Sequence, residues 1–367
     1  MKQHTLNVDE LIKRLPVEYE QACYETRTIE RKREIKSPAD LMKLLLLYLI
    51  GGYSTIEISI IAMELGIARI SDVAFIKKLS KCREWLSQII SMIIPKAVVE
   101  YTTPKSFEGY TIAALDGSNV KERGRSGRLY RLHYAIDLFR LTALSFKITG
   151  QEVGETLLNF DIKKKWLVLA DRIYGSLTGI NYCLNAGANF IVRLRFGAFK
   201  LYGADGKEFH TLQWLREIND SSAADVEVYV KLPDLGLTKL RLCACKIPAD
   251  MLEKVARKNK RKDSKKQIKT SLNAKFMSQF VVVITALPET ITADEIISMY
   301  RFRWQVEIYF KRLKSIIDFG SVPLKTEDST HAWLTGKLMV SLLIEQMIAE
   351  VPFSPNISKI TEYMEGS

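Results

Sequence analysis

The stretch Trp166-Leu167-Val168-Leu169-Ala170 is nearly all apolar, and Asp171-Arg172-Ile173-Tyr174-Gly175 follows it directly. An apolar run of this length predicts a strand buried on both faces, as in a sheet that helices cover on each side. A helix to about Asn185 and a strand from Phe190 to Leu194 are predicted next. This strand–helix–strand order indicates an α/β layer.

Three strands are predicted ahead of that stretch, arranged as a meander. They cover Tyr110 to Leu115, Leu129 to Leu138 and Leu144 to Ile148, and Asp116-Gly117-Ser118 ends the first. A polar, glycine-containing loop from Lys121 to Arg128 follows. We therefore expect a mixed sheet with flanking helices as the fold class, α/β within a multidomain α+β chain.

The segment 196–278 interrupts this rhythm and predicts a β-rich insertion. Val226 to Leu232 and Lys239 to Lys246 alternate like antiparallel strands. The basic run from Lys254 to Lys266 predicts either a helix or loop facing nucleic acid, or a solvated and partly disordered segment. A buried strand from Gln279 to Leu287 then returns to the core.

The N-terminal part is predicted to be helical. Ser37-Pro38-Ala39-Asp40 is typical of a helix start, with an N-cap serine and a proline in the first turn. One helix closing on Gly66 and another opening at Ser71 fit a helix-turn-helix, or else a plain hairpin with a solvated basic face. In a helix-turn-helix the cations of the second helix would face DNA phosphates, and they are Lys77, Lys78, Lys81 and Arg83. The predicted domains are 1–105 (helical and DNA-binding), 106–195 with 279–325 (catalytic core), 196–278 (β-rich insertion with the basic segment) and 326–367 (helical C-terminal segment).

Composition favours a polyanionic partner, since 54 Lys and Arg against 42 Asp and Glu leave a formal charge of +12. The most apolar run, Leu41 to Ile50, contains Lys43 and is too short for a membrane span, and no secretory signal opens the chain. We expect no membrane association.

Cysteine and histidine exclude several kinds of site. Five cysteines without a zinc-type double pair indicate a reducing compartment rather than a disulfide framework, and Cys243 and Cys245 fit one face of a core strand. Four histidines far apart in sequence leave little material for a zinc centre or a hydrolase triad.

A single long helix is predicted to carry the most informative carboxylate. Thr292, with Glu295 three residues later, is typical of a capping box that opens it. At about 100° per residue, one arc of the helix holds a carboxylate among cations and aromatics. Its members are Tyr300, Arg303, Trp304, Glu307, Lys311 and Lys314. Such an arc suits a metal between protein and phosphodiester, or plain i,i+4 ion pairs on a surface helix.

Two aspartates join Glu307 as candidates. Asp116 and Asp171 each follow a predicted buried strand, where an acid is either a turn former or part of a site. Acids at adjacent strand ends, with one on a flanking helix, can hold two divalent cations for phosphoryl chemistry. Asp137, inside a strand, and Asp161, in a polar turn, compete but look more ordinary.

These residues resemble the DDE transposases of the insertion-sequence-four family. Tyr300, Arg303, Glu307 and Lys314 match that family's Y-x2-R-x3-E-x6-K signature. Asp116-Gly117-Ser118 is similar to its first-aspartate motif, and the Asp171 to Tyr174 segment is similar to its second. The similarity extends from the helical N-terminal part to about residue 345.

The resemblance implies an RNase H-like core in which Asp116, Asp171 and Glu307 bind two Mg²⁺ ions, with Mn²⁺ as a substitute. It implies cut-and-paste transposition, with a hairpin as one route for the second strand, by a homodimer on double-stranded DNA (terminal inverted repeats and target) in the bacterial cytosol at the nucleoid. Trp304 either stacks on an unpaired base or packs in the core. The predicted DNA contacts are Tyr300, Arg303, Trp304, Lys311, Lys314, Arg172 and Tyr174.

Two alternatives stay open at this level. One is an RNase H-like nuclease that never joins strands, and the other is a transposase remnant that only binds DNA. Family members often carry a longer helical C-terminal region that pairs protomers, whereas this chain ends at Ser367.

Overall fold

The computed structural model describes residues 8–30, 34–93, 103–125, 127–140, 142–218, 222–267, 270–316 and 319–349. Its helices are α1 (Val8–Ile12), α2 (Tyr19–Glu25), α3 (Pro38–Gly51), α4 (Thr55–Glu64), α5 (Asp72–Ser80), α6 (Arg83–Ile93), α7 (Leu177–Asn185), α8 (Thr211–Glu217), α9 (Ala249–Lys266), α10 (Leu272–Met277), α11 (Ala293–Arg301), α12 (Trp304–Ile316) and α13 (Glu327–Ala349). Its strands are β1 (Thr111–Glu122), β2 (Leu129–Asp137), β3 (Thr142–Gly150), β4 (Trp166–Ala170), β5 (Asn189–Arg193), β6 (Ala224–Leu232), β7 (Gly236–Lys246), β8 (Phe280–Thr285) and β9 (Ser321–Val322).

Within the described residues, nine strands form one mixed sheet in the order β3-β2-β1-β4-β5-β8-β7-β6, and β9 pairs with β1. Strands β1, β4 and β5 run parallel at its centre, while the outer strands pair antiparallel. The predicted α/β architecture, a mixed sheet with flanking helices, is confirmed.

Strand β4 occupies the five residues from which the fold was predicted, and all five are buried. Side chains alternate between faces along a strand. Leu167 and Leu169 enter the core shared with the N-terminal and C-terminal helices, whereas Val168 and Ala170 enter the core on the other face, beneath α7 and α8. The central sheet is therefore buried on both faces, as the apolar run requires.

The β-rich segment continues this sheet. Strands β6 and β7 form a hairpin, and β7 pairs with β8, which pairs with β5. The basic run, for which a helix, a loop or a disordered segment was open, lies on the helix α9.

The helical N-terminal part contains the predicted starts. The Ser37 hydroxyl accepts a hydrogen bond from the Asp40 amide and caps α3. Helices α4 and α5 flank Gly66, whose φ of 68° lies in the left-handed region, and Ser71 caps α5. Helix α13 packs against α3, α5 and α6, so the end of the described chain closes the N-terminal bundle.

The single helix predicted after Thr292 is wrong, because α11 ends at Arg301 and α12 begins at Trp304. The amides of Phe302 and Arg303 donate to carbonyls three residues back, which tightens the turn. In a continuous α-helix, with about 100° of rotation per residue, the side chains of Tyr300 and Val306 would point about 120° apart around the axis. The tighter turn between α11 and α12 rotates them toward the same face. Both are buried in the same core, so tertiary packing sets this break.

Two further features bear on function class. In the part of the chain that the structure describes, no helix is both long and apolar enough to cross a bilayer. All five cysteines are free and buried, and Cys243 and Cys245 lie in the core strand β7, as predicted.

Candidate active site

Sheet register brings the two candidate aspartates to the same level. In the parallel pair β1–β4, Ala114 lies opposite Leu169, so continuing that register two residues places Asp116 beside Asp171. The prediction that Asp116 follows a strand is wrong, because it lies inside β1. Strand β1 separates from β4 after Ala114 but stays paired with β2 as far as Lys121.

Alternation along the strands gives the face on which the aspartates lie. Asp116 shares the face of Ala114, and Asp171 continues the face of Leu169, both of which enter the core that includes Val306 and Phe310 of α12. Helix α12 packs on β1. The third candidate, Glu307, is carried by this helix, so the sequence brings all three carboxylates to one side of the sheet.

Arg303 connects these carboxylates. Its Nη2 donates to Glu307 Oε1 at 2.6 Å, and its guanidinium carbon lies 5.9 Å from the centre of the buried Tyr300 ring. Burial works to lower the pKa of Arg303, but the hydrogen bond to Glu307 and the charges of Tyr300, Glu307 and Asp171 outweigh it and raise that pKa. The guanidinium thus compensates negative charge from both the helix and the sheet.

Asp116 is half-buried and lies among other charged groups. Burial raises the pKa of Asp116 to about 6, and the neighbouring charges of Glu307 and Glu155 add to the rise. The Gly117 amide, which donates to Asp116 Oδ1 at 2.8 Å, and Arg303 oppose it. A half-buried acid facing other acids is typical of functional sites, because repulsion there is relieved by a bound cation.

The donor set suits a divalent metal ion. Carboxylate oxygens are the ligands that Mg²⁺ prefers, with few carboxylates and the remaining positions left to water and substrate. Among the described residues, no three His, Cys, Asp or Glu side chains stand close enough together to hold a metal ion. Glu307 is bound to Arg303, and its side chain remains 49% exposed. Its carboxylate can therefore be reached from solvent, so a metal ion can replace Arg303 as its partner.

Further cations surround the site. Arg172 is exposed directly after Asp171, and Lys311 is exposed on α12. The side chain of Lys314 lies outside the described residues. Sequence reasoning missed Arg193, at the carboxyl end of β5; burial and the nearby charge of Arg172 lower its pKa, while Asp171 raises it. Its position at a parallel strand end beside β4 was the available signal.

Of the three aromatic residues predicted to contact DNA, Tyr300 and Tyr174 are buried and Trp304 is exposed. Trp304 is 50% exposed beside Arg303, so it does not pack in the core and its ring is available for stacking. Tyr174 is fully buried, with its ring 6.0 Å from that of Phe160, and its hydroxyl has no hydrogen-bond partner among the described residues. The structure thus places Tyr174 in the core behind Asp171, and its DNA contact stays a prediction.

Glu155 is a second residue that sequence reasoning missed. It lies in the loop after β3, where its Oε1 is 3.5 Å from Nε of Arg131, and both side chains are largely buried. A Cβ on Gly117 would lie 2.7 Å from Glu155 Oε1, so the residue after Asp116 must be small unless Glu155 moves. No local pattern marks this acid, because its place depends on the pairing of β1 with β2.

The competing aspartates have ordinary roles. Asp137 is buried and accepts hydrogen bonds at 3.0 Å from the amides of Phe139 and Arg140, which makes it a turn former. Asp161 is exposed and pairs with Lys163. Each therefore has a local partner that accounts for it.

The helix-turn-helix cations also divide. Lys77 and Arg83 are exposed, whereas Lys78 donates to the Thr28 carbonyl and Lys81 pairs with Glu30. Lys77 and Arg83 therefore have no internal partner of this kind in the described part of the chain, and DNA contact by this motif stays a prediction.

Comparison with known families bears directly on this site. The family described as "Transposase DDE domain" matches residues 107–343, which include β1, β4 and α12. The chain belongs to the DDE transposase family. Membership confirms the family predicted from the signature residues, and it makes the chain an enzyme that acts on DNA.

Relatives of this DDE transposase are proteins of insertion sequences. The InsL protein of element IS186A from Escherichia coli K12 is 28% identical over 346 residues, covering 91% of each chain. The transposase of element IS421 from Escherichia coli is 28% identical over 347 residues with the same coverage, so these relatives are similar to this chain in length. The transposase of IS231F from Bacillus thuringiensis subsp. israelensis is 29% identical over 104 residues, covering 28% of this chain and 22% of that one. The mixed sheet is consistent with the RNase H-like core of the family, which uses divalent metal ions.

Proposed function

We propose that this protein is the transposase of an insertion sequence, cleaving DNA at the element's ends and joining the freed 3′-hydroxyl to target DNA. The observation that carries the proposal is the common face of Asp116, Asp171 and Glu307, with Arg303 among them. Insertion-sequence relatives that cover 91% of the chain support the same substrate.

Asp116, Asp171 and Glu307 are proposed to hold two Mg²⁺ ions. Two such ions, when bound, ionise the attacking oxygen and stabilise the leaving oxygen of a phosphodiester. Asp116 contributes a half-buried carboxylate whose charge is made costly by burial and by the surrounding acids, and so favours cation binding. Glu307 contributes the exposed end of its pair with Arg303, and ligation by Glu307 frees that guanidinium for a DNA phosphate.

The remaining residues are proposed to orient the DNA. Arg172, Arg193 and Lys311 lie where phosphates on either side of the reacting bond can be neutralised, which keeps the bond in line for attack. The ring of Tyr300 lies against the guanidinium of Arg303 and holds it in position through the cation–π contact. Trp304 is the exposed aromatic on which a base displaced at the cleavage point can stack.

The test is strand cleavage on a duplex bearing the element's terminal inverted repeat, with Mg²⁺ and then Mn²⁺. Asp116→Asn, Asp171→Asn and Glu307→Gln are each expected to abolish cleavage while DNA binding persists. Asp161→Asn, a matched change at an exposed acid outside the site, should keep full activity. Full activity in any one of the first three variants removes that residue from the proposed site.

Two products separate the proposed reaction from its rivals. A pre-cleaved end with a free 3′-hydroxyl should join to a target plasmid, and a nuclease that only hydrolyses would give no joined product. A hairpin on the excised end, visible on a denaturing gel, would support the proposed route for the second strand. Gel shifts without cleavage in either metal would instead favour a protein that only binds DNA.

A further inference from the structure

Helix α9 (Ala249–Lys266) carries a large positive charge for its length. Its 18 residues include eight Lys or Arg and three Asp or Glu, a formal charge of +5 (eight minus three). Like charges three or four residues apart destabilise a helix. A helix of this composition therefore depends on anchoring to the rest of the protein.

One face of α9 provides that anchor. Leu252, Val255, Asn259 and Asp263 are half-buried, and their spacing of three, four and four residues places them on a single stripe. Asn259 Nδ2 donates to Ser278 Oγ at 2.9 Å, and Asp263 Oδ2 accepts from the Thr270 amide at 3.2 Å. This packed stripe fixes which side of the helix faces the protein.

The opposite face is a row of exposed cations. Lys254, Arg257, Arg261 and Lys265 are exposed, and at 100° per residue they share an arc of about 80° centred opposite the packed stripe. Arg257 pairs with Glu253 at 3.2 Å, but both side chains are at least 75% exposed, so the pair contributes little. Arg261 and Lys265 have no carboxylate partner within the described ranges. We call these four residues the α9 basic row.

Sheet topology places the start of α9 at the same edge of the sheet as the catalytic carboxylates. Strand β5 runs parallel to β4, so its last residue, Arg193, lies at the same edge of the sheet as Asp171. Antiparallel pairing puts the start of β8 and the end of β7 at this edge as well, with Lys246 opposite Phe280. Helix α9 begins three residues after Lys246. Three strand spacings of about 4.8 Å put Lys246 roughly 14 Å across the sheet from Asp171, and its register three residues beyond that of Arg193 adds about 10 Å along the strands.

We propose that the α9 basic row binds the phosphate backbone of duplex DNA beside the cleavage point, without reading its sequence. The inference rests on the proposed function for the presence of DNA at this edge of the sheet. The row extends over eleven residue steps of helix, from Lys254 to Lys265, or about 17 Å, which matches roughly five base pairs of B-form duplex. Phosphate contacts hold a duplex in register but carry no base information, so the row serves any flanking or target sequence.

The experiment measures the salt dependence of binding to a duplex of random sequence, without metal so that no cleavage occurs. The test variant carries Lys254→Gln, Arg257→Gln, Arg261→Gln and Lys265→Gln, with glutamine chosen because it keeps helix propensity. The matched control carries Lys105→Gln, Lys163→Gln, Lys164→Gln and Lys165→Gln, which removes four exposed cations before the amino ends of β1 and β4, at the opposite edge of the sheet.

Each phosphate contact contributes about 0.9 to the slope of log affinity against log salt concentration. Four contacts predict a slope smaller in magnitude by roughly 3 to 4 in the α9 variant, while the control keeps the wild-type slope. A slope within about one unit of wild type in the α9 variant, with its circular dichroism unchanged, would overturn the inference. An equal loss in the control would also overturn it, since net charge alone would then explain the effect.

Failure of this inference is distinguishable from failure of the proposed function. The carboxylate variants test cleavage, whereas the basic-row variant tests metal-free binding. Cleavage that depends on Asp171, with a salt slope that does not depend on α9, would reject the basic row alone. A slope that depends on α9 in a protein that cleaves nothing would reject the transposase reaction and keep the DNA-binding row.

Discussion

Replacing Arg241 should destabilise the protein more than the loss of any exposed ion pair described above. Its guanidinium is buried and donates to Asp225 Oδ2 at 2.6 and 2.9 Å, and to the carbonyl oxygens of Pro288 and Ile291 at 2.7 and 2.8 Å. It therefore ties β7 to the loop from which α11 begins. Arg241→Met keeps much of the volume and removes every one of these donors.

The magnitude follows from the partners left behind. Removing one member of a buried ion pair costs about 3–5 kcal/mol, but Asp225 is 37% exposed and can be rehydrated, which favours the lower end. The carbonyls left without a donor add about 1 kcal/mol. We expect the free energy of unfolding to fall by about 4 kcal/mol.

Urea unfolding followed by far-UV circular dichroism measures this change. Lys239→Met on the same strand is the matched control, because Lys239 is 51% exposed and solvent weakens its two ion pairs. DNA cleavage should fall with Arg241→Met, since α11 carries Tyr300. A loss of stability below about 1.5 kcal/mol, or equal losses in both variants, would refute the reasoning.

Three further predictions concern the site and its surroundings. Burial, with the charges of Arg131 and Lys147, lowers the pKa of His133 to about 4. Between about pH 6.5 and 4 the imidazole is therefore protonated in the unfolded chain but neutral in the folded protein. Stability should therefore fall as pH drops from 6.5 to 4, by about 3 kcal/mol, and His133→Gln should remove that dependence in urea titrations at pH 7 and 4.5; identical pH dependence in both proteins would contradict it. Arg303→Gln should lower single-turnover cleavage by about 100-fold in protein whose far-UV circular dichroism is unchanged, and cleavage at the wild-type rate would exclude Arg303 from the site. Trp304→Ala should weaken binding to a duplex with an unpaired base at the cleavage point by about 1–3 kcal/mol in fluorescence anisotropy titrations, whereas an unchanged affinity would rule out stacking.

Local patterns predicted the elements whose reasons are local. Strand β4 was correct at both ends because five successive apolar residues must be buried on both faces. Ser37 and Thr292 cap their helices as predicted, since a cap requires only its own side chain and the amides of the next turn. The carboxylate candidates followed from strand ends and from the signature on α12.

Features that depend on distant partners could not be predicted. The break between α11 and α12 has no Gly or Pro, and it exists because Tyr300 and Val306 share a core. The length of β1 beyond Asp116 comes from pairing with β2, not from its own residues. Glu155 approaches the carboxylates only through loop packing, so nothing near it in sequence marks it, and Arg193 is marked only by its place at the end of a strand whose neighbour is β4.

The packing of α13 against α3, α5 and α6 has a consequence for synthesis. A ribosome makes the N-terminal helices first, yet the side chains that complete their core, such as Leu338 and Leu342, are translated some 250 residues after α6. The N-terminal bundle therefore cannot bury its apolar face until translation reaches α13. Any DNA-binding surface that depends on this bundle therefore forms only after the catalytic core has been translated. The part of the protein that carries the candidate carboxylates is made before such a surface can fold.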